Sequence, residues 1–221
     1  GKRVWALAKV KDDFTINGTD KVDSYLLLTN PHMYGRAVDI RFTPIRVVCN
    51  NTLTLSLAQK GDYQIALNHK KAFDPQEAKE LLGIAKGKME TFKDMATFLS
   101  SKRFTDDSLI TYFATVFPNQ NPKVKGVGFD PKSVADFEKY ASKNAKTAMN
   151  VVKTQPGANF AEGSYWQAFN AVTYMTDHVL GRENDTRLAS SWYGVNKNKK
   201  VRNQIRKSLS LIHISEPTRP Y

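Results

Sequence analysis

The stretch AVDIRFTPIRVVCNNTL, residues 37–53, decides how the first part of this chain folds. Apolar Val38, Ile40 and Phe42 fall on one side of an extended segment and charged residues fall on the other, which is the period of a half-buried strand. The alternation ends at two asparagines and a threonine, whose side chains accept the free amide hydrogens at the start of a helix. The stretch therefore predicts a strand that meets a helix near Thr52.

Strand patterns also surround this stretch. RVWALAKV and VDSYLLLT precede it, separated by turn signals in NGTD and NPHMYG, and DYQIALNH follows it. TLTLSLAQK predicts a short helix that Gly61 ends. We therefore expect residues 1–73 to form a β-rich core, mainly an antiparallel sheet with one short helix.

From residue 74 the pattern becomes helical. Apolar residues recur at intervals of three and four through residues 74–100, with Asp74 as the cap and Pro75 in the first helical position. Four further helices are predicted over residues 106–117, 131–152, 161–180 and 185–207. The predicted fold class is α+β, with residues 74–208 forming a helical region that packs on the sheet within one domain.

Both ends of the sequence look unnatural. The chain opens directly on a strand pattern, so we expect it to begin inside a longer protein. Residues 209–219, LSLIHISEPTR, look like translated sequencing adapter. We treat residues 209–221 as an artefactual tail and expect them to lie outside the core.

Charge and cysteine content favour certain classes of protein. The formal net charge is +12, and the tail does not alter it because it holds one Arg and one Glu. The densest basic run is NKNKKVRNQIRKS, residues 196–208. A surface of this charge attracts polyanions, although a solvated, solubilising face explains it equally well. No apolar run is long enough to span a membrane, and the single Cys49 favours the reducing cytoplasm of a bacterial host.

Asn50 and Asn51 exceed what one helix cap needs. With Arg46 at the strand end, the second asparagine could present amide and guanidinium groups to a phosphate. The alternative is that Asn51 caps the predicted helix, Asn50 forms a hydrogen bond with a neighbouring loop, and Arg46 forms a salt bridge. Local features slightly favour that alternative.

Two blocks carry a resemblance to a known family. The first is YLLLTN, AVDIRFTPIRVVCNNTLTLSL and NHKKAF, and the second is YWQAFNAVTYMTDHVLGRENDTRLASSWYG, residues 165–194. Together they resemble the phage/plasmid-like family called domain of unknown function 932, over about residues 4–207. The resemblance implies a protein of phages, plasmids and mobile elements, without an established activity.

The second block contains a polar stripe. Trp166, Asn170, Thr173 and Asp177 follow one line along a predicted helix. One interpretation is that the sheet or a neighbouring helix covers the stripe, with its polar groups bonded to backbone. The other is that a nucleic-acid strand or another subunit covers it, with Trp166 stacking on a base where the partner is nucleic acid.

Catalytic patterns are weak, so the sequence favours a non-enzymatic protein without deciding the point, and we expect no cofactor and no metal site. Cys49 with His69 or His178 would supply a thiol and a base, but Cys49 follows an apolar strand and reads better as a core residue. The leading hypothesis is a non-enzymatic protein that binds nucleic acid, most of all single-stranded DNA, in recombination or replication. The order of predicted elements is similar to the β-β-β-α core of phage single-strand annealing proteins. The predicted contacts are Arg41, Arg46, Asn50, Asn51, Lys70, Lys71, Trp166, Asn170, Lys197, Lys199 and Lys200.

Two alternatives stay open. One is an oligomeric structural or interaction protein, whose basic patches balance an acidic partner. Such a protein could be a homo-oligomer. The other is an enzyme whose centre lies in an N-terminal region absent from this sequence. Binding to single-stranded DNA that weakens steeply with salt separates the first hypothesis from both.

Overall fold

The computed structural model describes residues 3–31, 37–49, 51–52, 64–67, 74–125, 130 and 133–180. The chain divides into two compact units, Gly1–Leu99 and Ser100–Tyr221. The first contains a sheet and most of a long helix, and the second contains shorter helices. The first unit extends past residue 73, where the sequence pattern changes, because the long helix belongs with the sheet.

All strand pairings in the described residues are antiparallel, which confirms the predicted α+β class. Strands β1, β2 and β3 form a meander, and two short strands pair with the far side of β3, β5 beside its start and β4 beside its end. The strands are β1 Arg3–Ile16, β2 Asp20–Pro31, β3 Val38–Arg46, β4 Asn51–Thr52 and β5 Gln64–Leu67.

The turn between β1 and β2 follows from its Asn-Gly pair. Asn17 and Gly18 have φ values of 50° and 75°, the positive angles that a type I′ hairpin turn requires and that asparagine and glycine tolerate best. The amide of Thr19 donates to the carbonyl of Ile16 at 3.1 Å and closes the turn. The predicted turn at NGTD is confirmed. The second predicted turn, NPHMYG, lies largely outside the described residues.

One face of the sheet packs on the long helix. Phe42 lies opposite Leu26 in the β2–β3 register, and Phe14 lies opposite Val22 in the β1–β2 register. Residues directly opposite in a ladder share a face, so these side chains form one apolar surface. The ring of Phe14 contacts Phe92 of the helix, with centroids 5.9 Å apart.

Helix α1 runs from Pro75 to Ser101, as its sequence predicts. The carboxylate of Asp74 accepts the amide hydrogen of Gln76 at 2.8 Å and caps the first turn. The buried residues of its second half recur at three and four: Met89, Phe92, Ala96 and Leu99. This spacing places them on one stripe, and Phe92 of that stripe contacts the sheet through Phe14.

The junction after β3 differs from the prediction. Asn51 and Thr52 form β4, where Thr52 lies opposite Ile45 and Asn51 lies opposite Arg46. Asn51 and Thr52 therefore belong to a strand at the point where the helix was predicted to begin, because a second strand returns along β3 and takes these backbone groups. The remainder of the predicted short helix falls outside the described residues.

A buried salt bridge explains why an arginine, Arg46, ends β3. Arg46 is 1% exposed, and its Nε lies 2.8 Å from both carboxylate oxygens of Asp20, which is 0% exposed. Arg46 lies opposite Val22, two residues from Asp20, so the pair spans β2 and β3 diagonally. The salt bridge that we gave as the alternative role of Arg46 is therefore present. Binding of a phosphate would require an exposed guanidinium, and Arg46 is buried.

The second unit is helical throughout its named elements. It contains α2 Asp106–Val116, α3 Pro122–Lys125, α4 Val134–Tyr140, α5 Lys143–Thr154, a 3-10 turn Ala158–Ala161, α6 Tyr165–Tyr174 and a π turn Met175–Val179. The prediction of one helix over 131–152 is wrong in detail, because extended backbone at Ala141 and Ser142 separates α4 from α5. The predicted helix over 185–207 and the tail lie outside the described residues.

We expect Arg46→Met to lower the free energy of unfolding by about 3–5 kcal/mol, because it removes the cation that pairs with the buried Asp20 carboxylate. Replacing both partners, in Arg46→Met with Asp20→Leu, should recover most of that loss. Urea denaturation measures both variants. Lys11→Met, which removes an exposed cation from β1, is the control and should leave the midpoint nearly unchanged. If the single and double variants lose equal stability, the two charges do not compensate each other.

Candidate nucleic-acid interface

The structure divides the eleven predicted contact residues into three groups. Arg46, Trp166 and Asn170 are buried, at 1%, 0% and 0% exposure. Two are located by their backbone alone: Arg41 lies opposite Leu27 in β3, and Asn51 lies in β4. The remainder lie outside the described residues: Asn50, Lys70, Lys71, Lys197, Lys199 and Lys200.

Trp166 and Asn170 belong to the packing of α6. The ring of Trp166 stacks on Phe169, with centroids 5.6 Å apart and planes inclined by 20°. Asn170 donates its side-chain amide to the carbonyl of Trp166 at 2.8 Å, one turn earlier. A base cannot stack on a ring that is already covered, so the structure corrects the stacking role predicted for Trp166. The predicted alternative, polar groups bonded to backbone, holds for Asn170.

Helix α6 is buried on all sides, and Gln167 fixes its start. Its side-chain oxygen accepts the amide hydrogen of Gly163 at 2.8 Å, and its Nε2 donates to the carbonyl of Val152 at 2.9 Å. Gln155 in turn donates to the backbone carbonyl of Gln167 at 2.8 Å. Val152 lies in the last turn of α5, where carbonyls have no partner within the helix. These bonds tie the C-terminal end of α5 to α6.

Helix α5 has one buried face and one charged face. Ala145, Ala148, Val151 and Val152 are buried on the first. Lys143, Lys146, Asn150 and Lys153 follow the opposite line at intervals of three and four. We call Lys143, Lys146 and Lys153 the lysine face. It spans roughly 15 Å at about 1.5 Å per residue.

Within the part of the chain that the structure describes, no carboxylate pairs with the lysine face. Helix α5 contains no acidic residue, and no salt bridge within the described residues involves its three lysines. Lys146 donates to the backbone carbonyl of Glu138. A backbone carbonyl carries no net charge, so this bond does not neutralise the lysine. Acidic residues normally favour the first turn of a helix, where the helix dipole is positive. Lysines there produce a locally positive surface suited to an anion.

Lysines on the sheet differ in this respect. Lys9 lies 2.5 Å from a carboxylate oxygen of Asp23, and Lys21 lies 2.8 Å from Asp13. The hydrogen bond with Asp23 raises the pKa of Lys9, and the one with Lys21 lowers the pKa of Asp13. These lysines already have carboxylate partners, so a phosphate would have to compete for them.

The sequence contained a signal for the lysine face. KNAKTAMNVVKT, residues 143–154, has three lysines and no acid. The pattern predicts one helix over residues 131–152 and does not show that a new helix begins at Lys143. Without that boundary, the register of lysines against buried alanines and valines could not be assigned.

The described residues hold little else that resembles a reactive centre. Cys49 is a buried free thiol, and its Sγ lies 3.8 Å from Nη1 of Arg46, which fits the core position predicted for it. His178 is exposed, and its ring lies 4.7 Å from that of Tyr174. No group of three or more His, Cys, Asp or Glu side chains in the described part of the chain is arranged to hold a metal ion. None of the helices described there is both long and apolar enough to cross a membrane.

Comparison with known proteins identifies one family. The family model described as domain of unknown function (DUF932) matches residues 1–205. No curated protein matches the chain. No solved structure matches it either.

We expect Trp166 to be insensitive to nucleic acid. In a variant with Trp5→Phe and Trp192→Phe, the emission of Trp166 should stay blue-shifted and unquenched when single-stranded DNA is added to saturation. Trp166→Ala should lower the free energy of unfolding by about 3–5 kcal/mol, because it leaves a large cavity. Fluorescence titration and urea denaturation measure the two effects. Quenching by DNA in a variant of unchanged stability would restore the stacking role.

Proposed function

The chain belongs to the DUF932 family, and we propose that it binds nucleic acid without being an enzyme. The ligand we propose is single-stranded DNA, bound during recombination or replication of a phage, plasmid or other mobile element. The proposed place of action is the cytoplasm of a bacterial host, where a lone buried thiol such as Cys49 stays reduced.

The lysine face carries this proposal. Its three cations lie along one side of α5, and none has a carboxylate partner among the described residues. Phosphates of a nucleic-acid strand are evenly spaced anions, and each lysine that neutralises one releases a condensed counterion. The net charge of +12 adds a long-range attraction for the same ligand.

This surface suits contact with the phosphate backbone more than reading of sequence. Lysine is a point charge on a flexible stem and does not fix the orientation of a phosphate as a bidentate arginine does. Contacts of this kind position a strand without distinguishing its bases. We therefore expect binding through the lysine face to be independent of sequence.

A second candidate function is an interaction protein that assembles with copies of itself. Val4 of β1 and Leu28 of β2 are 56% and 40% exposed, and the pairing of the two strands places both on the same face of the sheet. Exposed apolar side chains that lie together favour contact with another protein. Light scattering across a concentration series tests this candidate, and a monomer at all concentrations would contradict it.

We expect the variant with Lys143→Gln, Lys146→Gln and Lys153→Gln to bind single-stranded DNA more weakly and with less dependence on salt. Each lysine contact with a single strand contributes about 0.7 to the slope of log affinity against log salt, so the slope should fall by about 2. Fluorescence anisotropy of a labelled oligonucleotide across a salt series measures both quantities.

The matched control replaces three exposed lysines outside α5, in Lys11→Gln, Lys93→Gln and Lys123→Gln. It removes the same charge, so only a local site distinguishes the two variants. The control should keep most of the salt slope. An equal loss in both variants would show that net charge, and not the lysine face, attracts the DNA.

A further inference from the structure

An open cavity of about 250 Å³ lies beside the first turn of α5. Its walls come from the end of α2, the loop that follows it and the start of α5. The lining residues are Phe117, Pro118, Gln120, Ser142, Lys143 and Asn144.

The walls of the cavity are fixed by hydrogen bonds. The hydroxyl of Ser142 donates to the carbonyl of Phe117 at 2.6 Å and accepts the amide hydrogen of Ala145 at 3.1 Å. The side-chain amide of Asn119 donates to the carbonyl of Tyr140 at 2.7 Å and anchors the loop that carries Gln120. A cavity whose walls are held in this way exists before a ligand arrives.

The chemistry of the lining is specific. Phe117 and Pro118 supply an apolar wall, and Gln120 and Asn144 supply two exposed carboxamides. Each carboxamide has both a donor and an acceptor, the combination that pairs with the edge of a nucleobase. The volume is below the range of about 300–1,000 Å³ of pockets for drug-sized ligands, and it suits one small planar ring. Ser142 is occupied by its two backbone bonds, so the polar contacts must come from the carboxamides and Lys143.

We propose that this cavity receives one unpaired nucleobase of a strand whose phosphates follow the lysine face. The inference rests on the proposed function and identifies its ligand as single-stranded, because a base inside a duplex cannot enter a cavity without leaving its stack. Lys143 lines the cavity and also begins the lysine face, so a nucleotide held there has its base and its phosphate within reach of adjacent residues.

The experiment compares two probes on the full chain, an oligothymidylate and an abasic oligonucleotide of the same length. Both present the same phosphates, and only the first presents bases. We expect the oligothymidylate to bind on the order of tenfold more tightly, within the range found for holding one base. The variant with Gln120→Ala and Asn144→Ala should lose this preference and keep its salt slope.

Asn150→Ala is the matched control, since it removes an exposed carboxamide from the same helix outside the cavity. It should keep the full preference for the oligothymidylate. Equal binding of both probes by the unmodified chain would overturn the cavity site while leaving the lysine face intact. A double variant that keeps the preference would overturn it as well.

If neither probe binds, the proposed function fails, and thymidine alone then tests the cavity. In that case, chemical-shift changes confined to the amides of Phe117 and Asn144 on addition of thymidine would retain a nucleobase site. Unchanged shifts would overturn it.

Discussion

The guanidinium of Arg46 is buried within the sheet, and the Asp20 carboxylate makes that burial tolerable. A charge taken out of water costs several kcal/mol unless an opposite charge and hydrogen bonds replace its hydration. Asp20 can do this only when it lies diagonally across from Arg46 on the same face. A slip of one residue between β2 and β3 would turn the two side chains to opposite faces. The pair therefore constrains the strand register, and with it the apolar surface that receives α1.

The helical unit depends on a comparable constraint at Gln167. A helix covered on all sides cannot place its polar groups in water, so each must find a partner within the protein. Gln167 supplies partners for the start of α6 and the end of α5 together. The apolar stripe of α5 is buried, and the C-terminal end of α5 is bonded to Gln167. The lysines lie on the opposite side of the helix. The lysine face is thus a consequence of how α5 is packed.

Net charge alone does not indicate where a polyanion binds. Lys9 and Lys21 bridge to carboxylates on the sheet, whereas the lysines of α5 have no such partner among the described residues. Local pairing therefore decides which cations remain available for a phosphate. The cavity beside Lys143 adds groups of another kind, carboxamides and an apolar wall, so that one end of a charged surface acquires the chemistry to hold a base.

The sequence alone determined the features that depend on neighbouring residues. Alternation predicted β3, the Asn-Gly pair predicted the turn between β1 and β2, and Asp74 with Pro75 predicted the start of α1. Each of these signals lies within a few residues of the structure that it specifies. The roles of Arg46 and Trp166 could not be read in this way. An arginine at a strand end and a tryptophan on a polar stripe look exposed until the partner strand or helix is known. Only the tertiary structure brings Asp20 to Arg46 and covers Trp166, since burial is set by residues distant in the chain.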